Sequence, residues 1–158
     1  MEYKEFLPVI AFVIVLIIKN LLDLRIMPLF VQYFWWFSAR NFLRIKTETI
    51  AGQWEQHWES GGSTTFVEST GRHGHPIIKQ WAHYCYTETV ANQKVYVVFG
   101  KIVGEFFIGD WYDKDDLRGY FGTFQLHIKD SKTMEGKWMG HSKTEMTIRC
   151  DDWVWKKL

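Results

Sequence analysis

The sequence predicts a membrane-anchored all-β protein, in which an N-terminal transmembrane helical hairpin precedes a compact eight-stranded antiparallel β-barrel. Three observations predict this fold class. About fifty apolar and basic residues come first, short alternating runs then recur at intervals of about ten residues, and aromatic rings are abundant throughout. The predicted division places the transmembrane region at residues 1–47 and the barrel at residues 48–158.

Two apolar runs predict the hairpin. Residues 6–18 are broken only by Pro8, in a first helical turn that tolerates proline. As a helix this run covers about 20 Å of a hydrocarbon core that is about 30 Å thick, so neighbouring residues must complete the span. Residues 26–37 contain one polar side chain, Gln32, and end in four rings that favour the headgroup level. We therefore expect short helices over about residues 5–19 and 24–40.

Two arrangements fit these runs. One is the hairpin, with a turn near residues 19–25, and the other is a single span over residues 3–22 followed by an amphipathic helix lying in the interface. Arg40, Arg44 and Lys46 follow the rings, so the positive-inside rule predicts that the hairpin, a multi-pass anchor, holds the barrel on the cytoplasmic side of its membrane. The residues predicted to contact lipid are Phe6, Ile18, Phe30, Trp35 and Trp36.

The remainder of the chain predicts eight strands separated by turn residues. The first has a buried face, because Trp54, Gln56 and Trp58 alternate with polar neighbours. The predicted strands cover residues 52–58, 64–69, 77–89, 94–100, 105–112, 118–129, 136–141 and 145–155. Closing such a sheet into a barrel removes its exposed edges, and eight strands leave room for a side-chain core or one small ligand.

Composition limits the function. The net charge of +1 argues against a partner that is a nucleic acid polymer, although residues 1–46 hold six Lys or Arg against three acids. Nine Trp and twelve Phe indicate an interior filled, or a pocket lined, by rings. Cys85 and Cys150 are too few and too far apart for a disulfide scaffold or a zinc site, so two reduced thiols are expected.

No catalytic motif is present in the sequence, and we predict a protein that is not an enzyme. His73 and His75 lie in a Gly-Pro turn without a third ligand nearby, so no metal site and no cofactor are expected. Rings interleaved with cations in the strands are more informative, since aromatic faces stack on nucleobases and Arg pairs with phosphates. On that chemistry the candidate ligand-binding residues are Tyr84, Arg118, Tyr120 and Arg149.

The chain resembles a family of membrane-bound effectors in bacterial CBASS anti-phage defence, the SMODS-associating effectors with two transmembrane helices and a β-strand-rich domain. The resemblance rests on the apolar runs ending in Trp35-Trp36, on Gly52-Gln53-Trp54, and on the C-terminal segments 134–140 and 153–156. It implies a β-barrel that binds a cyclic dinucleotide messenger, a homo-oligomer that forms on activation, and disruption of the lipid bilayer of the inner membrane by the helices.

Two other functions fit the same sequence. Gly-x-Trp on a first strand is also how lipocalins begin, so the barrel is lipocalin-like, and a membrane-tethered carrier or chaperone of a hydrophobic small molecule is the main alternative. A third is an assembly module whose barrel is filled by rings and holds no ligand.

Overall fold

The computed structural model describes residues 7–23, 26–37, 48–62, 69–116, 118–141 and 146–158. Helices α1 (Leu7–Asp23) and α2 (Ile26–Phe34) precede the sheet. The strands are β1 (Gly52–Trp58), β2 (His73–Gly74), β3 (Ile77–Trp81), β4 (Tyr84–Ala91), β5 (Lys94–Val103), β6 (Phe106–Asp113), β7 (Phe121–Asp130), β8 (Thr133–His141) and β9 (Ile148–Lys157).

These strands close into an antiparallel barrel. From β3 to β9 each strand pairs with the next, and β9 pairs with β1 from Trp54↔Lys157 to Trp58↔Trp153. The other side of β1 pairs with β3 near its start and with β2 near its end, so β2 and β3 together occupy one strand position. The result is an eight-stranded barrel, and the predicted β-barrel is confirmed.

The predicted transmembrane hairpin is wrong. The two helices have 17 and 9 residues, and no helix in the described part of the chain is both long and apolar enough to cross a membrane. At 1.5 Å per residue they extend about 26 Å and about 14 Å, less than a hydrocarbon core of about 30 Å. The predicted multi-pass localisation in the inner membrane is wrong for the same reason.

Helix α2 ends in a turn, and it packs against the outside of the barrel. The backbone N–H of Phe37 donates to the carbonyl of Phe34 (2.9 Å), which closes the last turn. Val31 is buried with Tyr86 and Val97, and Phe30 meets Trp81 edge-on with ring centroids 4.7 Å apart. The second apolar run thus has a protein surface to cover.

Two strand predictions also differ from the structure. Most of the predicted strand 64–69 lies outside the described residues, and Ser69 belongs to a 3₁₀ turn, Ser69–Arg72. The predicted strand 77–89 is two strands, β3 and β4, joined by a tight turn in which Ala82 has a φ of 54°. This turn contains no Gly, Pro, Asn or Asp, so it could not be predicted from the sequence.

One end of the barrel is filled by side chains and by the segment before β1. Ile50 is buried, its N–H donates to Oε1 of Gln80 (2.9 Å), and its carbonyl accepts from Nε1 of Trp54 (2.7 Å). Further core side chains on the inner face are Ile78, Cys85, Ile102, Phe107, Leu126, Met134 and Trp155. The opposite end, where β1, β4, β6 and β8 finish, carries the connections 59–72, 114–120 and 142–147, and we call it the loop end.

Candidate functional site

The loop end of the barrel is lined by indole rings from four strands. Trp58 on β1 pairs directly with Trp153 on β9, and Trp111 on β6 meets Trp138 on β8 edge-on with centroids 6.1 Å apart. Trp153 is buried, whereas the other three are half-buried and pack against the core. We call these four residues the loop-end tryptophans, and they present ring surface both to the core and toward the loops.

Two glycines leave the space that the ring of Trp111 occupies. Gly122 and Gly140 pair across β7 and β8, on the inner face of the barrel. A Cβ added at Gly140 would lie 2.5 Å from Cζ2 of Trp111, and one added at Gly122 would lie 2.8 Å from Cε2. Side chains at either position would collide with the indole, so the ring lies directly against the backbone of two strands.

Arg149 is held beside these rings by the chain that follows β1. It shares the inner face of β9 with Trp153, because the two residues are separated by an even number of strand positions. Its Nη1 donates to the carbonyl of Gly61 (2.6 Å), and the N–H of Gly61 donates to Oδ2 of Asp151 (3.0 Å). Nε1 of Trp138 donates to the carbonyl of Glu59 (3.0 Å). These bonds fix the segment 59–62 against the start of β9 and orient the guanidinium.

Deeper in the barrel, several buried polar groups have no hydrogen-bond partner among the described residues. Gln56 and Trp155 are 0 % exposed, Thr87 is 1 % exposed and Trp153 is 5 % exposed. The unpartnered inward-facing atoms are Oε1 of Gln56, Oγ1 of Thr87 and Nε1 of Trp111, Trp153 and Trp155. A buried polar group without a partner costs about 1–3 kcal/mol, so most such groups in proteins are paired. Among these unpartnered atoms the indole N–H donors outnumber the oxygen acceptors, so a ligand rich in acceptor atoms would satisfy them.

An ion pair between the exposed Lys94 and the buried Asp113 organises the loop between β6 and β7. Oδ2 of Asp113 accepts from Nζ of Lys94 (2.8 Å), and its Oδ1 accepts from the N–H groups of Asp115 (3.1 Å) and Asp116 (3.2 Å). The hydrogen bond from Lys94 lowers the pKa of Asp113 against the opposing effect of burial, and the backbone bonds lower it further. Burial and the neighbouring Asp113 carboxylate raise the pKa of Tyr96, the residue opposite Asp113 on β5.

The structure brings three of the four predicted ligand residues to the loop end, namely Arg118, Tyr120 and Arg149. Arg149 is inward-facing, as described, and Tyr120 ends the β6–β7 loop, where its carbonyl accepts from the N–H of Asp113 (2.9 Å). Arg118 is exposed in the same loop, and β7 begins only at Phe121. Tyr84 does not face inward. It lies on the outer face of the barrel, stacked on Phe99 with ring centroids 6.1 Å apart.

The residues predicted to contact lipid are also dispersed. Ile18, Trp35 and Trp36 are exposed, with Trp36 at 67 %. Phe30 instead packs on the barrel, and Phe6 lies outside the described residues.

Sequence reasoning placed Gln56 on the buried face of β1 but drew nothing from its amide, and it missed Thr87 and the loop-end tryptophans as a group. One signal was available for Gln56, because strand alternation places it between Trp54 and Trp58 on the buried face. An amide in such a position must find a partner inside the barrel. Trp111 and Trp138 could not be grouped, since only barrel closure brings β6 and β8 together around the same space.

Comparisons with known proteins add little. No family model matches this chain, and no curated protein matches it. Among solved structures, a redesigned β-barrel is similar at 9 % sequence identity, with 69 % of this chain and 92 % of that chain covered and a TM-score of 0.49. We base no argument on that likeness.

Proposed function

We propose that the chain binds a cyclic dinucleotide at the loop end of its barrel and acts as the sensor of an anti-phage defence effector. The observation that supports this most is the placement of Arg149 beside half-buried indole rings at one end of the barrel. The resemblance to the CBASS effectors suggests the ligand class, and the grouping of Arg149 with the loop-end tryptophans supports the proposal of this end as the site.

Stacking of a base on the indole rings is the first contribution to the proposed binding free energy. A base that stacks on an indole gains about 1–3 kcal/mol, and every base has a face that can stack. Trp58, Trp111 and Trp138 retain partial exposure at the loop end, so a base has ring surface to reach. The buried indole N–H groups of Trp111 and Trp153 are suited to carbonyl or ring-nitrogen acceptors on the edge of that base.

The positive charge of Arg149 is the second contribution to the proposed binding free energy. Nη1 of Arg149 donates to a neutral carbonyl, that of Gly61. A phosphate oxygen is a stronger acceptor for a guanidinium, because it carries negative charge and can accept two parallel hydrogen bonds from the planar fork. The exchange of Gly61 for a phosphate would remove one of the hydrogen bonds that hold the segment 59–62, while those from Gly61 to Asp151 and from Trp138 to Glu59 would remain. Binding would thereby change the surface of the loop end.

We propose self-association of the chain as the output of this change, and lipid as the partner of the exposed apolar surface. The side chains of residues 8–19 in α1 are exposed around the whole helix, and the rings at positions 33–37 are exposed as well. Exposed apolar surface of this extent marks a face that contacts a membrane or a partner. Contact with a lipid surface requires no spanning helix.

The test is calorimetric titration of the full chain in detergent with a panel of cyclic dinucleotides, for wild type, Arg149→Gln and the control Arg118→Gln. Both variants remove one guanidinium at the loop end, but only Arg149 faces inward. We expect one panel member to bind, at least a tenfold loss of affinity for Arg149→Gln and less than a twofold loss for Arg118→Gln. Absence of binding across the panel, or equal losses in both variants, would overturn the proposal.

A carrier of a neutral small molecule is the second candidate. It is favoured by the unpartnered Oε1 of Gln56 and Oγ1 of Thr87, which are uncharged and fully buried. Solvent extraction of the purified chain followed by mass spectrometry tests it. A stoichiometric apolar compound that remains bound in Arg149→Gln would favour the carrier over the sensor.

A further inference from the structure

We propose that Glu88 is a positioning residue that couples the β6–β7 loop at the ligand site to helix α2 on the outside of the barrel. The inference deepens the proposed function by assigning a route from the loop end to the helices, and its role in signalling rests on that function. The coupling itself is a property of the chain without ligand, so it is tested separately.

Glu88 lies on the outer face of β4 and contacts three elements. Its Oε1 accepts from the hydroxyl of Tyr86 on the same strand and from Nε2 of Gln32 on α2 (3.3 Å). Lys114, the first residue after β6, donates from Nζ to both carboxylate oxygens at 3.0 Å. One carboxylate therefore joins the helix, the barrel wall and the loop.

Among the described residues, the remaining contact between α2 and the barrel is mainly apolar. Val31 is fully buried against Tyr86 and Val97, and Phe30 meets Trp81 edge-on. Apolar burial is non-directional, so it holds the helix on the wall without fixing its rotation or its register. The Gln32 bond to Glu88 is directional and therefore defines the position of α2 on β4.

The two-pronged contact of Lys114 orients the carboxylate. Glu88 is 32 % exposed, so its side chain has room to rotate into water. With Nζ of Lys114 equidistant from both oxygens, one rotamer is favoured, and it is the rotamer that presents Oε1 to Gln32. Loss of the lysine contact frees the carboxylate and weakens the helix contact.

Lys114 also belongs to the ligand site through its backbone. It follows the buried Asp113 directly, and its N–H donates to the carbonyl of Val95 (2.8 Å). The loop that it begins is tied to Asp113 by the N–H groups of Asp115 and Asp116 and ends at Tyr120. A ligand that displaces this loop moves Lys114 relative to β4, and the displacement reaches α2 through Glu88.

Hydrogen–deuterium exchange of the full chain without ligand tests the coupling. We compare wild type with Lys114→Met and Glu88→Gln, which remove charge and keep side-chain length. The matched control is Lys137→Met, which removes an exposed ion pair with Asp152 (2.7 Å) that joins β8 to β9. The control pair involves none of β3, β4 and β5, the strands whose side chains contact α2.

We expect the amides of residues 26–34 to exchange at least threefold faster in Lys114→Met and in Glu88→Gln, and at the wild-type rate in Lys137→Met. The double variant should exchange no faster than Glu88→Gln alone, because both changes break one route. Unchanged or slower exchange of α2 in Lys114→Met overturns the inference. Near-UV circular dichroism confirms that each variant is folded, and Lys114→Met alone suffices should Glu88→Gln not fold.

The same exchange experiment with added cyclic dinucleotide distinguishes this inference from the proposed function. If a cyclic dinucleotide binds and leaves α2 exchange unchanged in wild type, Glu88 does not transmit the signal and the inference fails. If none binds, the proposed function fails, and the ligand-free comparison still decides the coupling.

Discussion

Gln56 and Thr89 are joined by a hydrogen bond inside the barrel, in which Nε2 of the amide donates to Oγ1 of the threonine (2.5 Å). The bond links β1 to β4 beside Gly74, in the region where β2 and β3 share one strand position. A Cβ at Gly74 would lie 2.5 Å from the Thr89 oxygen and 2.8 Å from the Gln56 nitrogen. Side chains thus supplement the strand ladder where it is weakest.

Thr89→Val should lower the free energy of unfolding by about 1–3 kcal/mol, since it leaves the buried Gln56 amide without its described partner. Adding Gln56→Leu should recover most of that loss, because an apolar pair leaves no unsatisfied group. Urea denaturation of the single and double variants measures both effects. A double variant that is less stable than Thr89→Val would show that the amide has another partner.

Gly140→Ala should destabilise the barrel by about 1–3 kcal/mol, because its new Cβ meets Cζ2 of Trp111 at 2.5 Å. The same change in a Trp111→Leu background should cost much less, since the clashing ring is gone. The comparison is a double-mutant cycle by chemical denaturation. Equal costs in both backgrounds would locate the strain in the backbone and not in the ring.

The ion pair between Lys94 and Asp113 should stabilise the fold between two pH limits. The pKa of Asp113 is lowered on folding, so its contribution is present above the unfolded value near 3.8 and is lost as pH falls through the folded pKa. The pKa of Lys94 is raised by the same bond, so its contribution is lost as pH rises through a value above 10.5. Thermal melts at pH 7 should show a lower Tm for Lys94→Met.

The Tm difference between that variant and wild type should shrink below the folded pKa of Asp113, where the carboxyl is protonated in both proteins. A difference that persists unchanged once acid titration has protonated Asp113 would mean that the Lys94 stem stabilises the fold by packing and not by charge.

The two cysteines should react differently with a thiol reagent. Cys85 is buried and burial raises its pKa, whereas Cys150 is exposed on the outer face of β9. Because the thiolate is the reacting species, one thiol should be labelled in the folded chain and both in denaturant. Absorbance with a disulfide reagent gives the count, and Cys150→Ser should abolish the fast phase. Two fast thiols in the folded protein would contradict the buried position of Cys85.

Parts of the site were predictable from the sequence. Alternation in residues 52–58 identified the inner face of β1, and the position of Arg149 at the start of the last strand placed it near the first. The outer-face position of Tyr84 could not be read from the sequence, because β4 has rings or hydrophobic groups on both faces. A helix covers its outer face, so Tyr84 and Tyr86 are shielded although they point away from the barrel interior. Strand periodicity gives two faces but does not say which one is inside.

The sequence by itself determined that an antiparallel barrel follows an apolar N-terminal region, because period-two alternation and turn residues are local properties of the chain. Only the tertiary structure decided that the second apolar run covers β3 and β4, and that Trp58, Trp111, Trp138 and Arg149 meet at one end. The physical reason is that apolar surface is buried by whichever surface lies nearest, and closure of the sheet determines which surface that is.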